Sequence, residues 1–240
     1  MSNTFFTRIA AAAFIGLATV GATGATVSFA GPAMAAPAPS VGPSTTGMYG
    51  DPTEAAEFWA EQSLDDCTLM AIASVVGQVT GDMPTEAEII ELAENTPSTT
   101  HPGSIYIRPA NPEDPNTGNG TDPHDAVVLL AHYGIDAEVT DTDSEDEAGV
   151  DTGMRALEQY LAAGHKVIVS VNAETIWDID GPRNQSNHSV SVIGVDVKNG
   201  IVHLNDSGTE DGRDEQVDIA TFMKAWKTSD YRMIVTEEAA

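Results

Sequence analysis

A thiol, an imidazole, a carboxylate and a carboxamide at Cys67, His188, Asp206 and Gln62 are the residue types from which attack on an amide carbonyl is assembled. A cysteine attacks as the thiolate. It therefore needs a base to take its proton, a third group to hold that base in the right tautomer, and donors for the oxyanion that forms at the carbonyl. In such a site His188 would be the base and Asp206 the orienting group, while Gln62, five residues before the thiol, would place a side-chain N–H beside the Cys67 amide. Cys67 is the only cysteine of the 240 residues, so no intramolecular disulfide is open to it. Taken singly, each residue has a plainer use: an inert buried cysteine or an interchain link, a satisfied strand-end histidine, a turn-forming aspartate, a surface glutamine. The joint pattern is what points to chemistry. His101, His124, His132, His165 and His203 lack comparable companions, no cluster has the spacing of a zinc site, and no cofactor is expected.

Each of the four needs an element to place it. Asp65 or Asp66 can cap a helix that opens at Cys67, buries Leu69, Met70, Ile72, Ala73 and Val76, and ends near Gly77. The thiol then sits at the positive end of a helix dipole beside free N–H groups, which favours thiolate, with Asp65 and Asp66 opposing that shift. Thr85 and Glu88 form a capping box for a second helix reaching about Asn95. Residues 96–121, rich in Pro, Gly, Asn and Thr, read as a long loop with a hint of strand at 105–107. Asp122, Pro123 and Gly134 bound a third helix, and a strand follows around 135–139. The acidic run 141–147 lacks the glycine and the terminal glutamate of a calcium loop and reads as solvated. A helix through Met154, Leu157, Tyr160 and Leu161 stops at Gly164. Strands are expected at 166–171, 189–195, 201–205 and 231–236, with a short helix over 219–226. Helices come first and antiparallel strands later, so the class is α+β.

Hairpin register decides whether Asp206 can serve His188. A two-residue turn at Asn199-Gly200 would set His188 opposite Asp211 and turn Asp206 to the other face. A loop over 196–200 sets His188 opposite Gly208 and makes Asp206 its same-face diagonal neighbour, about 7 to 8 Å away between Cα atoms. Catalysis by this pair requires the longer loop, although the dipeptide by itself favours the shorter.

Residues 1–35 carry one charge, at Arg8, a long apolar stretch, and Ala33-Met34-Ala35; this reads as a signal peptide cut before Ala36. A flexible linker over 36–51 and one domain over 52–240 follow. The chain has a formal charge of -27, with 37 acidic against 10 basic residues. Such a surface repels phosphate backbones and anionic lipid, so neither nucleic-acid binding nor stable membrane insertion after leader cleavage is expected. A secreted or envelope-associated protein acting on a peptide or protein is the expectation.

From Trp59 to Thr236 the chain resembles the peptidase C39-like group of papain-fold cysteine peptidases. WAEQSLDDC (59–67) is similar to the family's nucleophile segment, where an aromatic residue and a glutamine precede the cysteine. LEQYLAAGHKVIVSV (157–171) matches a helix, glycine and buried strand. HSVSVIGVD (188–196) resembles the histidine strand, LNDSG (204–208) the segment of the orienting residue, and VDIATFMKAW (217–226) the short helix before the last strand. The resemblance implies a papain-like fold with N-terminal helices packed on a C-terminal antiparallel sheet. It makes Cys67 the nucleophile, His188 the base, Asp206 the orienter and Gln62 the oxyanion donor. Two positions differ from the usual pattern: Thr68 stands where Gly is common, and is expected to crowd the substrate carbonyl, and Ser207 where Pro is common. A secreted cysteine peptidase is the first reading. A catalytically inactive papain-fold binding module is the second. The third is a cell-wall peptide hydrolase of the NlpC/P60 type, suggested by Asp66-Cys67 at a helix start, for which His188 lies too far downstream.

Overall fold

The protein is described by a computed structural model covering residues 47–111, 120–145 and 149–238. The signal-peptide reading, nearly all of the linker, and residues 146–147 of the acidic run lie outside the described residues. The elements run β1 (Met48–Gly50), α1 (Pro52–Ala55), α2 (Cys67–Thr80), α3 (Glu86–Asn95), α4 (Pro123–His132), β2 (Ala137–Thr140), α5 (Met154–Ala163), β3 (Val167–Val171), α6 (Ala173–Ile176), β4 (His188–Asp196), β5 (Ile201–Asn205), β6 (Glu215–Asp218), α7 (Ile219–Trp226) and β7 (Met233–Thr236). The strands form one antiparallel sheet in the order β2-β7-β3-β4-β5-β6, and β1 pairs with the far half of β4 beyond the end of β3. This is the expected α+β, papain-like arrangement of helices on an antiparallel sheet.

Helices cover both faces of that sheet, which is why its central strands are buried on both sides. All five residues of β3 are buried. Val167, Val169 and Val171 join Val190, Val192, Leu204, Phe222 and Trp226 in a core with α5 and α7, while Ile168 and Ile234 point into a second core with Leu69, Ile72, Ile89 and Leu129 of α2, α3 and α4. Each such fully buried side chain stabilises by roughly 1.5 to 3 kcal/mol relative to exposure, so the sheet is fixed from both sides before any polar group is placed.

The helix signals behave as their chemistry dictates. Thr85 and Glu88 make the reciprocal capping box of α3, and Asp122 accepts from the His124 amide ahead of α4. Helix α2 runs past Gly77 to a left-handed Gly81, and Asp66 occupies its N-cap position without a side-chain capping bond. Three elements differ from what the sequence leads one to expect. Residues 48–50, at the end of the expected linker, are a strand. Residues 105–107 form no strand: Ile105 and Tyr106 are buried against the helices, and the nearest ladder is a single bridge, Pro97 to Ser104. β6 has no counterpart among the expected strands, because Glu215-Gln216-Val217-Asp218 buries only Val217 and so carries almost no apolar signal.

The β4–β5 register settles the question posed by the hairpin. The loop is four residues long, with Asp196 opposite Ile201, but a bulge between Val192 and Gly194 shifts the pairing so that Ser191 lies opposite Asn205. That shift restores, at the His188 end, the register of the longer loop.

Candidate active site

Cys67 is the first residue of α2 and is half-buried. The first intrahelical bond joins the Met70 amide to the Asp66 carbonyl, so the Cys67 amide is one of the helix's unpaired N–H groups. Since Asp66 does not cap, its side chain does not compete for them.

His188, the first residue of β4, brings its ring to the Cys67 sulfur, with which it is hydrogen bonded. The other ring nitrogen, Nε2, lies 2.7 Å from Asp206 Oδ1, which leaves Nδ1 facing the thiol. Asp206, one residue past β5, is fully buried and His188 nearly so. Two further donors reach the Asp206 carboxylate: the Gly208 amide at 2.7 Å to Oδ1 and the Trp177 indole at 3.0 Å to Oδ2. The Trp59 indole donates to the Asp206 backbone carbonyl at 2.6 Å. Trp177 also tilts its ring against His188, with centroids 5.0 Å apart, and so screens the imidazole–carboxylate bond from water. Gly208 is required here for space. A Cβ on it would meet Trp177 at 2.7 Å and the His188 Cε1 at 3.1 Å.

The electrostatics follow from these contacts. Burial works against a charged Cys67, but the imidazole, the Ser189 amide and Thr68 more than offset it, and the thiol is held below its ordinary range. For His188 burial again opposes charge. The Asp206 carboxylate and then the thiol outweigh it and raise the imidazolium to about 10. Asp206 stays below the usual carboxylate range because, against burial, it faces His188, the Gly208 amide and Trp177. These contacts favour a thiolate beside an imidazolium, the form in which a cysteine can attack a carbonyl.

Gln62 is oriented by its neighbours. Its Oε1 accepts from the Ser207 hydroxyl at 2.8 Å and its backbone N–H is held by the Ser207 carbonyl at 2.9 Å. The Leu64 carbonyl, which can only accept, fixes which end of the carboxamide is nitrogen. Nε2 gives one hydrogen to the Leu64 carbonyl at 2.8 Å and keeps the second for an acceptor outside the protein. Ser207 at a position where proline is common thus has a use. The Thr68 side chain is buried and turned inward, with its hydroxyl 2.9 Å from Ser189 Oγ.

Cys67, His188 and Asp206 lie in contact in series, and Gln62 is bonded to Ser207, the residue after Asp206. A profile of the Peptidase_C39 like family matches residues 57–234, three-quarters of the chain and the whole of this constellation. The chain belongs to that family. Uncharacterised proteins of Mycobacterium tuberculosis and Mycobacterium bovis are each 57% identical over 195 residues, covering 79% of this chain and 84% of theirs. A C39-like peptidase from Bacillus anthracis has the same fold, with a TM-score of 0.52 at 16% identity over 77% of this chain and 96% of its own. Family and fold support a peptidase-like function. Among the described residues no group of three or more His, Cys, Asp or Glu side chains is placed to hold a metal ion.

Sequence reasoning missed Trp177 and Glu215. Trp177 lies in a polar connection whose only landmark is the indole itself, eleven residues before His188. Glu215 is one of 37 acidic residues, and nothing local sets it apart.

Proposed function

We propose that the chain is an exported cysteine peptidase, with Cys67 as nucleophile, His188 as base and acid, Asp206 as orienting carboxylate, and the Cys67 amide and Gln62 Nε2 as oxyanion donors. The thiolate adds to the peptide carbonyl and the oxygen takes the negative charge between those two donors. Collapse expels the amine, which takes the proton from His188 Nδ1 and leaves an acyl thioester on Cys67. Neutral His188 then draws a proton from water as the water adds to the thioester. The acid departs, and thiolate and imidazolium are restored. The observation that carries this reading is the buried His188 Nε2 to Asp206 Oδ1 bond of 2.7 Å on the side of the ring away from the sulfur. The inactive-module reading rests on Thr68 and the flanking aspartates; the inward bond of the Thr68 side chain to Ser189 speaks against the first of these.

The test is to incubate the mature protein with a peptide library and search for new termini by mass spectrometry, with Cys67→Ala as the control. New termini that vanish in the variant are expected. Their absence from both proteins, together with a cellular role that survives Cys67→Ser, would establish the binding module instead. On a substrate found in this way, Ser207→Ala is expected to lower kcat about tenfold, because one hydrogen bond of about 1 to 1.5 kcal/mol fixes the Gln62 carboxamide. Alkylation of Cys67 should be unaffected, since neither residue touches the thiol's charge.

A further inference from the structure

Glu215 is a partly buried acid that the reaction does not use. It opens β6 opposite Leu204, its carboxyl lies against that of Asp206, and its Oε2 is buried with no hydrogen-bond partner among the described residues. An ionised carboxylate offers about four acceptor positions, two on each oxygen. On Asp206, Oδ1 is filled by His188 and Gly208, while Oδ2 receives Trp177 alone. One position is open. A second carboxylate there would oppose acceptor to acceptor, whereas a carboxylic acid supplies the missing donor and satisfies both groups. We propose that Glu215 is a positioning residue whose protonated carboxyl donates a hydrogen bond to Asp206 and keeps that carboxylate turned toward His188.

Burial first, and then the Asp206 charge and hydrogen bond, push the Glu215 acid up to about 7, with His188 acting the other way. The other charged groups near it are committed or distant in effect. Asp178, Arg183, Asp218 and Lys224 line the same cavity, with Arg183 held by Asp178 at 3.0 Å. From β5, His203 is bound to Asp214 at 2.6 Å. Below about pH 7 the acid is a donor. Above it, Asp206 loses that donor and gains a repelling charge that also bears on His188.

The inference rests on the roles given to His188 and Asp206, but its test reads their state and not turnover. In the intact mature protein, the His188 ring signals followed by nuclear magnetic resonance are expected to show an inflection near pH 7, well before the imidazolium loses its own proton near 10. Glu215→Gln donates at every pH and is expected to abolish the inflection while holding the Nε2 proton signal at its low-pH position. Glu215→Ala should lose both. Asp66→Asn, at the other acid that titrates near 7, is expected to leave the inflection in place. A flat wild-type titration, or an inflection that survives in Glu215→Gln, overturns the proposal. An infrared difference spectrum of Asp66→Asn across the same pH step is the second check: a protonated carboxyl band is expected, and its absence overturns the proposal equally. Failure to cleave any peptide with the inflection intact would sink the hydrolase and not this arrangement.

Discussion

At about pH 6, Cys67 of the His188→Ala variant is expected to react with iodoacetamide at least about tenfold more slowly than the wild-type thiol. An unperturbed cysteine titrates near 8.5, so at that pH it is thiolate to well under one part in a hundred. Here the imidazole, the Ser189 amide and Thr68 hold the thiol below its ordinary range against the cost of burial. Without the imidazole, burial is the largest remaining influence and drives the thiol upward. A more basic thiolate is also a better nucleophile, which returns part of the lost rate and makes tenfold, not several hundredfold, the expected floor. The pH profile gives a sharper sign: the wild-type rate should already be high below pH 7, and the variant's should rise only on the alkaline side. A wild-type thiol that labels slowly until alkaline pH would remove the ion pair, and the hydrolase with it. Asp206→Asn should give an intermediate profile, because the amide still holds the ring but no longer supplies the charge that raises the imidazolium.

Much of this site was legible in the sequence because it depends on elements with strong local signals. The helix that presents Cys67 is written in its apolar spacing, the strand behind His188 in its alternation of Val with Ser, and the helix 219–226 in its boundaries, which agree with α7. What failed was geometry set by the rest of the fold. The register that delivers Asp206 to His188 comes from a bulge at Val192 to Gly194, and the dipeptide at the turn points the other way. The bulge ends at Gly194, where the N-terminal segment crosses β4 and a Cβ would meet the Pro52 ring at 3.0 Å. Likewise the residues that tune the site, Trp177, Ser207 and Glu215, come from a loop, a turn and a polar edge strand. Composition gives such segments no periodicity to read. Their roles are fixed by which buried acceptor each one faces.

The acids that flank the thiol lead to a second large effect, on stability. Asp66 is almost wholly buried, neither of its carboxyl oxygens has a hydrogen-bond partner among the described residues, and burial followed by the nearby Glu86 charge raises its acid to about 7. In the unfolded chain it titrates near 4. Between about pH 4 and 7 the folded state therefore keeps a proton that the unfolded state has released, and stability falls as the pH rises through that window. Across the whole window the loss is on the order of a few kcal/mol, a large part of the stability of a single domain. Asp125, Asp141 and Asp206 have the opposite sign, being held below the usual range, and their contribution is lost in acid below about pH 4. Asp66→Asn removes the ionisation and puts a neutral amide of the same shape beside the Glu86 charge. By urea unfolding the variant is expected to match the wild type near pH 4 and to exceed it by several kcal/mol near pH 8, with a flatter pH dependence between. Parallel curves for the two proteins would show that Asp66 is ionised in the fold throughout. The same proton links stability to chemistry. While Asp66 holds it, the residue next to the thiol is neutral and no longer opposes the dipole of α2. Above pH 7 a carboxylate stands beside the sulfur and repels it. On the proposed mechanism, activity is expected to be highest on the acid side of neutrality, where the fold is also firmest.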